Sequence, residues 1–283
     1  MSTECPFYQS DNRRNLYLTL HDTLEIKSSF YFGVFLYFCI DMRKYGLIGK
    51  QLSHSWSARF FHDKFIREKI SDCEYNLFPL PSLVGLREWA INLELSGFNV
   101  TTPYKTDIFA HLDHIDSEAT AIGAVNCVHV LDRKLIGHNT DWKAFHDSIL
   151  PLLSPQHSHA LILGTGGASK AVAHAFRKLG ISYLFVSRTP SNSETIGYDE
   201  AFRKTRKYTI IVNATPLGTS PNTDQNPWPD FSTISDKNLC YDLIYNPLQT
   251  DFLRMASLHG ATICNGLEML HRQALLSWNI WNN

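Results

Sequence analysis

The sequence predicts an α/β protein built on open parallel sheet, and three observations carry that prediction. Strand-like and helix-like segments alternate along most of the chain. A short apolar run, Leu161-Ile162-Leu163, leads directly into a glycine turn and then a helix-like segment. The 283 residues suffice for two domains, at roughly 100–200 residues each. Hydrophobic residues make up 44% of the chain, enough for packed cores, and charged residues only 19%, which argues against global disorder. The net charge of −1 gives no broad attraction to nucleic acid or to an anionic membrane.

The elements are read in order. The longest apolar stretch, Phe30 to Ile40, is shorter than the roughly 20 residues a membrane-spanning helix needs. It also lacks the small-residue cleavage pattern of a signal peptide. Met42 offers an alternative start followed at once by a strand, so residues 1–41 are read as a mis-called or dispensable extension. Lys44 to Gly49 reads as a strand. Ser57 to Ile70 reads as an amphipathic helix, because Phe61/Phe65 and Ile66/Ile70 share faces while Asp63, Lys64, Arg67 and Glu68 can face water. Tyr75 to Phe78 is strand-like, Leu83 to Asn92 helical, and Phe98 to Thr101 a strand entering a proline turn. Ala124 to Val130 and Leu135 to Gly137 make a hairpin around Asp132-Arg133. Thr140 to Leu153 reads as a helix ended by Pro151 and Pro155. Beyond it come strands at Ala160 to Leu163, Tyr183 to Val186, Thr209 to Val212 and Leu239 to Asp242. The helices expected there are Ala168 to Leu179, Thr250 to Leu258 and Leu267 to Trp281.

Cys5, Cys39, Cys73, Cys127, Cys240 and Cys264 form no CxxC pair, so no zinc site is expected. With no signal peptide they read as reduced thiols of a cytoplasmic protein.

The glycine turn, Gly164-Thr165-Gly166-Gly167-Ala168-Ser169, has the order a dinucleotide site needs. Gly164 allows the turn, Gly166 lets backbone approach a pyrophosphate, and the helix start offers free N–H groups to the anion. Ser169 stands where the generic pattern has Gly or Ala. About 20 residues on, where an NAD site carries an acid for the ribose, the chain has Ser187-Arg188-Thr189 and no carboxylate. A guanidinium can pair with a 2′-phosphate, which favours NADP.

Several polar clusters exceed what packing asks for. Ser53-His54-Ser55-Trp56-Ser57 precedes a helix, where Ser57 alone would serve as an N-cap. Asn99-Val100-Thr101-Thr102-Pro103-Tyr104-Lys105 ends a strand, and Asn126 interrupts an apolar run. Asn139-Thr140-Asp141 opens a helix, where an Asp is often only a cap. Gly266 to Ala274 sets Met269 and Gln273 on one helix face. Each cluster alone has a structural explanation.

In this order they resemble the shikimate dehydrogenase family, from about Tyr45 to Trp281. The motifs are the serine loop His54 to Ser57, NVTxPxK at Asn99 to Lys105, and IGAVN at Ile122 to Asn126. NTD follows at Asn139 to Asp141, and the GxGGAS turn at Gly164 to Ser169. NATPxG lies at Asn213 to Gly218, DxxY at Asp242 to Tyr245, and GxxMLxxQA at Gly266 to Ala274. Ala58 replaces the family's usual Pro, Asp63 a common Asn, Ser187 the usual Asn, and Asn192 an Arg found in some members.

The resemblance implies a two-domain α/β architecture: a Rossmann-like NADP-binding domain at 142–259 and an α/β substrate-binding domain at 42–141, completed by 260–283. It implies NADP-dependent reduction of 3-dehydroshikimate to shikimate, with Lys105 and Asp141 as the catalytic pair. Ser55 and Ser57 would hold the substrate carboxylate; Thr101, Asn126 and Gln273 would bond ring hydroxyls, and Tyr245 would close the site. The cofactor would lie on Gly164, Thr165, Gly166, Gly167, Ala168 and Ser169, reach Ser187, Arg188 and Thr189, and touch Ala214, Thr215, Leu243 and Gly266. No metal is needed, because the nicotinamide carries the redox step. The partner is a small molecule, with no nucleic acid or membrane; monomer and homodimer are both open. The alternatives are an NAD-using quinate/shikimate dehydrogenase and an idle NADP-binding regulator, the latter disfavoured by the retained Lys105 and Asp141. A methylenetetrahydrofolate dehydrogenase shares the general architecture, but the NTD and MLxxQA motifs speak against it.

Overall fold

The computed structural model describes residues 42–52 and 55–283; the expectations for residues 1–41, including the stretch Phe30 to Ile40, and those for Ser53 and His54 lie outside the described residues. From Arg43 onward the chain forms two six-stranded sheets.

The first sheet holds β1 (Arg43–Gly49), β2 (Cys73–Pro79), β3 (Leu95–Val100), β4 (His114–Ile115), β5 (Cys127–Leu131) and β6 (Lys134–His138), in the order β2-β1-β3-β5-β6-β4. It mixes parallel and antiparallel pairs, and the expected hairpin forms between β5 and β6. β5 runs antiparallel to both β3 and β6. The β5–β6 pairing follows from the hairpin at Asp132-Arg133, whose φ values of 50° and 60° form a tight two-residue turn that reverses the chain. The strand expected from Ala124 starts only at Cys127. The residues before it bond elsewhere: Val125 N–H donates to Lys105 O, and Asn126 O accepts from Val100 N–H.

The second sheet holds β7 (His159–Leu163), β8 (Ser182–Val186), β9 (Thr195–Ile196), β10 (Ile210–Asn213), β11 (Leu239–Asp242) and β12 (Thr262–Cys264). Its order is β12-β11-β10-β7-β8-β9 and every pair is parallel. This is the doubly wound order, with its switch point between β7 and β10. Alternate residues serve opposite cores, which explains the unbroken apolar runs. Ala160, Ile162, Ile210, Val212 and Tyr241 pack on one face, while Leu161, Leu163, Ile211 and Cys240 pack on the other.

Among the described residues eight α-helices flank the sheets: α1 (Ser57–Glu68), α2 (Leu86–Asn92), α3 (Ser117–Ile122), α4 (Asp141–Ile149), α5 (Gly167–Lys178), α6 (Tyr198–Lys204), α7 (Asp251–Leu258) and α8 (Leu267–Trp281). α1 stops before Ile70 because Lys69 turns left-handed (φ 55°) and its N–H caps the last turn. α2 starts at Leu86 rather than Leu83, because Gly85 at its N-cap has φ 71°. The helix expected over Thr140 to Leu153 divides into α4 and a 3-10 turn, Leu150–Leu152, since Pro151 has no N–H to continue the ladder. β4, β9, β12, α3 and α6 have only two to seven residues, too short for their periodicity to stand out.

α8 carries the C-terminus back onto the first sheet. The Trp281 ring stacks on Tyr45 with centroids 4.8 Å apart, and its indole N–H donates to Val128 O at 2.9 Å. Gly97 lies under that ring, where a Cβ would come within 2.3 Å of it.

Candidate active site

A cavity of about 610 Å³ forms where the strand ends of both sheets meet the first turns of α8. The first sheet's side contributes Thr101, Lys105, Asn126 and Asp141, and the loop before α1 contributes Ser55 and Ser57. Tyr245, Gln273, Ala168, Leu243 and Gly266 complete the sequence-predicted set that lines it.

Lys105 and Asp141 meet at the cavity wall. The Lys105 ammonium donates to Asp141 Oδ2 at 2.7 Å, and Asn126 Nδ2 donates to Asp141 Oδ1 at 2.9 Å. Asp141 is therefore not a helix cap. Thr140 holds the N-cap position, and the carboxylate, at the first helical residue, turns inward to the lysine. One of the three ammonium donors is used on Asp141, leaving two for a ligand oxygen.

Asn126 is fixed from behind. Its other amide hydrogen goes to Thr140 Oγ1 at 2.9 Å, and its Oδ1 accepts from Thr140 N–H at 2.6 Å. Both donors are committed, so what it presents to a ligand is the second lone pair of Oδ1. The network continues behind the cavity wall. Asn99 Nδ2 donates to Asn126 O and to Ser277 Oγ, and the Tyr75 phenol donates to Asn99 Oδ1 at 2.9 Å. Burial pushes the Tyr75 phenol well above its ordinary range, and the neighbouring Ser57 hydroxyl opposes that rise. The only signal for Ser277 was its position four residues after Gln273, on the same face of α8.

Ser57 is not the cap the sequence suggested. Trp56 occupies the N-cap position, and Ser55 Oγ accepts from Ser57 N–H at 3.3 Å. The Ser57 side chain is thus left for the cavity. Trp56 packs against His271 of α8, with centroids 4.8 Å apart, which ties the serine loop to the helix carrying Gln273. Gln273 Nε2 donates to Leu270 O at 3.0 Å, so its Oε1 is the free acceptor. Burial raises the Tyr245 phenol, and the Trp56 backbone beside it opposes the rise. Thr219, Ser220 and Asn246 also line the cavity and were not singled out by sequence.

The glycine turn lies at the C-terminal end of β7, beside the switch point. Gly164 has φ 101°, which an L side chain rarely adopts. A Cβ on Gly166 would meet nothing within 4 Å, so the space over the turn is open for a ligand's approach. The first turn of α5 presents its free N–H groups there. Gly167 faces Lys105: a Cβ there would lie 3.1 Å from Lys105 Cβ. Thr165 is exposed, whereas Ser169 is fully buried behind the turn, its hydroxyl without a hydrogen-bond partner. After β8, Ser187 Oγ accepts from Thr189 N–H at 3.2 Å and shapes a short loop on which Arg188 is exposed. Thr215 hydrogen-bonds Asn213 Oδ1 through N–H and Oγ1, and Ala214 O lies 3.4 Å from where a Gly164 Cβ would sit. Open space at Gly166, a helix start and an exposed guanidinium with no ion pair among the described residues fit a phosphorylated dinucleotide.

Among the described residues no cluster of His, Cys, Asp or Glu is arranged to hold a metal ion, and no helix is long and apolar enough to cross a membrane.

Residues 47–128 match the family model for the shikimate dehydrogenase substrate binding domain. The chain is 37% identical over 251 residues to a shikimate dehydrogenase (NADP(+)) of Clostridium beijerinckii, covering 85% of this chain and 92% of that one. It also superposes on the crystal structure of shikimate dehydrogenase 1 from Peptoclostridium difficile, with TM-score 0.76 and 38% identity over 85% of this chain and 92% of the other. A Thermus thermophilus enzyme solved with NADP(H) and shikimate gives TM-score 0.76 at 31% identity, over 85% and 93% of the two chains.

Proposed function

The chain belongs to the shikimate dehydrogenase family, and we propose that it interconverts 3-dehydroshikimate and shikimate with NADP at the cavity beside Lys105. The observation that carries this reading is the Lys105–Asp141 pair at 2.7 Å, set on the cavity wall and directly against Gly167 of the nucleotide turn.

Residues 142–259 serve as the cofactor-binding domain. Residues 42–141 serve as the substrate-binding domain, completed by 260–283. Gly164 to Ala168 hold the pyrophosphate through backbone N–H groups, and Arg188 with Ser187 and Thr189 receives the 2′-phosphate. Ser169 supports the turn from its buried position. Ala214, Thr215, Leu243 and Gly266 border the nicotinamide. When bound, the nicotinamide supplies or accepts the hydride at the ring carbon.

The protein's own residues manage the proton and the fit. Lys105 Nζ gives a proton to the ring oxygen as it becomes an alkoxide and takes it back in the reverse direction. Asp141 holds the ammonium in place, and Asn126 and Thr140 hold Asp141. Ser55 and Ser57 donate to the substrate carboxylate. Thr101, the Asn126 Oδ1 and the Gln273 Oε1 receive or orient ring hydroxyls, and Tyr245 closes the cavity. A site built this way discriminates against analogues that lack a hydroxyl, because its own polar groups would be left unpaired. The setting we infer is cytoplasmic; the described cysteines, Cys73, Cys127, Cys240 and Cys264, are all free thiols.

The deciding experiment follows NADPH absorbance with the purified protein and 3-dehydroshikimate, with quinate and NAD as comparison reagents. NADPH consumption dependent on 3-dehydroshikimate is expected. A protein that binds NADPH yet turns over neither 3-dehydroshikimate nor quinate would overturn the reading and favour an idle NADP-binding protein.

A further inference from the structure

Asp242, the last residue of β11, is a fully buried carboxylate to which the reaction assigns no task. No cation meets it. Thr250 Oγ1 donates to its Oδ2 at 2.6 Å, while Asn213 Nδ2 and Ile244 N–H each donate to its Oδ1 at 3.0 Å. Burial pushes its carboxyl up to about 6, against the pull of these three donors. A polar group this costly to bury survives only where its hydrogen bonds are well made.

The three donors lead in three directions. Asn213 ends β10 and, through its Oδ1, holds Thr215 by both N–H (3.0 Å) and hydroxyl (2.7 Å). The Thr215 methyl in turn lies 3.2 Å from where a Gly164 Cβ would sit, so this branch ends on the glycine turn. Ile244 lies between Leu243 and Tyr245, which both line the cavity. Its O accepts from Gly266 N–H at 3.0 Å, so this branch sets the strip on which Tyr245 stands and the start of α8. Thr250 caps α7, its Oγ1 accepting from Leu253 N–H. The partial positive charge at that helix start helps to keep the buried carboxylate tolerable.

We infer that Asp242 is a positioning residue for the reaction, because one carboxylate holds both the cofactor-side loop at Asn213 to Thr215 and the substrate-side strip that carries Tyr245. This rests on the proposed reaction, since it assigns both walls a ligand. A residue that only anchored α7 would affect stability and leave the two walls alone, and the donors separate these roles.

The test uses the full chain and three variants. Asp242→Asn keeps the shape and replaces the charge. It is expected to weaken NADPH binding, read by fluorescence titration without substrate, and to lower kcat/KM for 3-dehydroshikimate, each by about tenfold, the scale of a hydrogen bond to a charged group. Thr250→Val removes only the α7 branch and is expected to lower Tm while NADPH affinity and kcat/KM stay within about twofold of wild type. Asn213→Ala cuts only the cofactor branch. It should weaken NADPH binding with a smaller rise in KM for 3-dehydroshikimate, and it decides the question if Asp242→Asn does not fold. Normal kinetics in Asp242→Asn, or losses in Thr250→Val equal to those in Asp242→Asn, would overturn the inference. So would an Asn213→Ala protein with unchanged NADPH affinity. A wild-type protein inactive on 3-dehydroshikimate would instead break the functional reading, because the NADPH titrations do not depend on turnover.

Discussion

Asp141 opens α4 and Asp242 closes β11, and both carboxylates are buried, at 5% and 0% exposure. Asp141 meets an ammonium at 2.7 Å and an amide; Asp242 meets a hydroxyl, an amide and a backbone N–H, all neutral. The lysine beside Asp141 is itself partly open to the cavity, with 20% of its side chain exposed, so the pair can exchange a proton with a ligand. Asp242 has no such outlet. A buried charge with a mobile cationic partner is equipped for chemistry, whereas one closed in by neutral donors can only hold shape.

The largest effect that tests this contrast is expected at the lysine. Lys105→Met keeps most of the stem volume and should lower kcat by at least about 10²-fold, with a smaller change in substrate binding. Near-normal turnover in a folded, NADPH-binding Lys105→Met protein would falsify the assignment. The same comparison predicts non-additivity. Lys105→Ala combined with Asp141→Asn should lose much less than the product of the single losses, because the residues act as a unit. Full multiplicativity would mean that the pair does not act as one.

Asp242 should reveal itself in the pH dependence of stability as well as in the kinetics of its Asn variant. Its folded-state carboxyl titrates near 6 against an ordinary 3.8, so between these values the native state holds more protons than the unfolded chain. The contribution of the site therefore falls as pH rises through that window, by at most about 3 kcal/mol, and is regained on acidification. Asn213, Thr250 and Ile244 N–H, the groups that face it, do not titrate. Wild type minus Asp242→Asn, measured by urea denaturation at pH 7, 6 and 5, should show wild type gaining on the variant as pH falls. A flat difference would mean that the carboxylate is not held at a raised pKa.

Smaller effects are expected where charge is left free. Arg188 is exposed and nothing acidic stands beside it after β8. Arg188→Ala should weaken NADP binding about tenfold and NAD binding little, the scale of one charge-assisted contact. Equal losses for both would reduce Arg188 to stacking on adenine. Smallest of all is the effect of omitting residues 1–41. A chain starting at Met42 should keep its activity and Tm, because the family resemblance begins at about Tyr45 and the first described strand at Arg43; an insoluble or inactive product would bring that segment into the enzyme.

The two sheets differ in how openly their sequences declare them. β7, β10 and β11 are apolar on both faces and read as strands at once. The first sheet mixes parallel and antiparallel pairs; its hairpin at Asp132-Arg133 was legible, but the antiparallel pairing of β5 with β3 joins segments far apart in sequence, which no periodicity reports. The proposed catalytic pair could be named from motifs, but Asp141 also had the sequence signature of a cap. Only the position of Thr140 in space separates those roles. Tyr75 and Ser277 were unreadable for another reason: each is a single polar residue within a stretch that looks like core. Their meaning arises because α8 returns across some 178 residues to meet Asn99. Asp242 stood in plain view within a motif, yet its task depends on Thr250 and Asn213, which sequence alone gives no cause to join to it.

Gly167 belongs to the nucleotide turn, yet the atoms a side chain there would crowd first are those of Lys105, 3.1 Å from where its Cβ would sit. The two residues thus share one steric constraint although 62 positions separate them. Anyone grafting the cofactor half of a relative onto this substrate half should transfer the pair together. A hybrid that brings in alanine at 167 would push the lysine stem aside and lose turnover while each half still binds its own ligand, and restoring glycine at that one position should recover it.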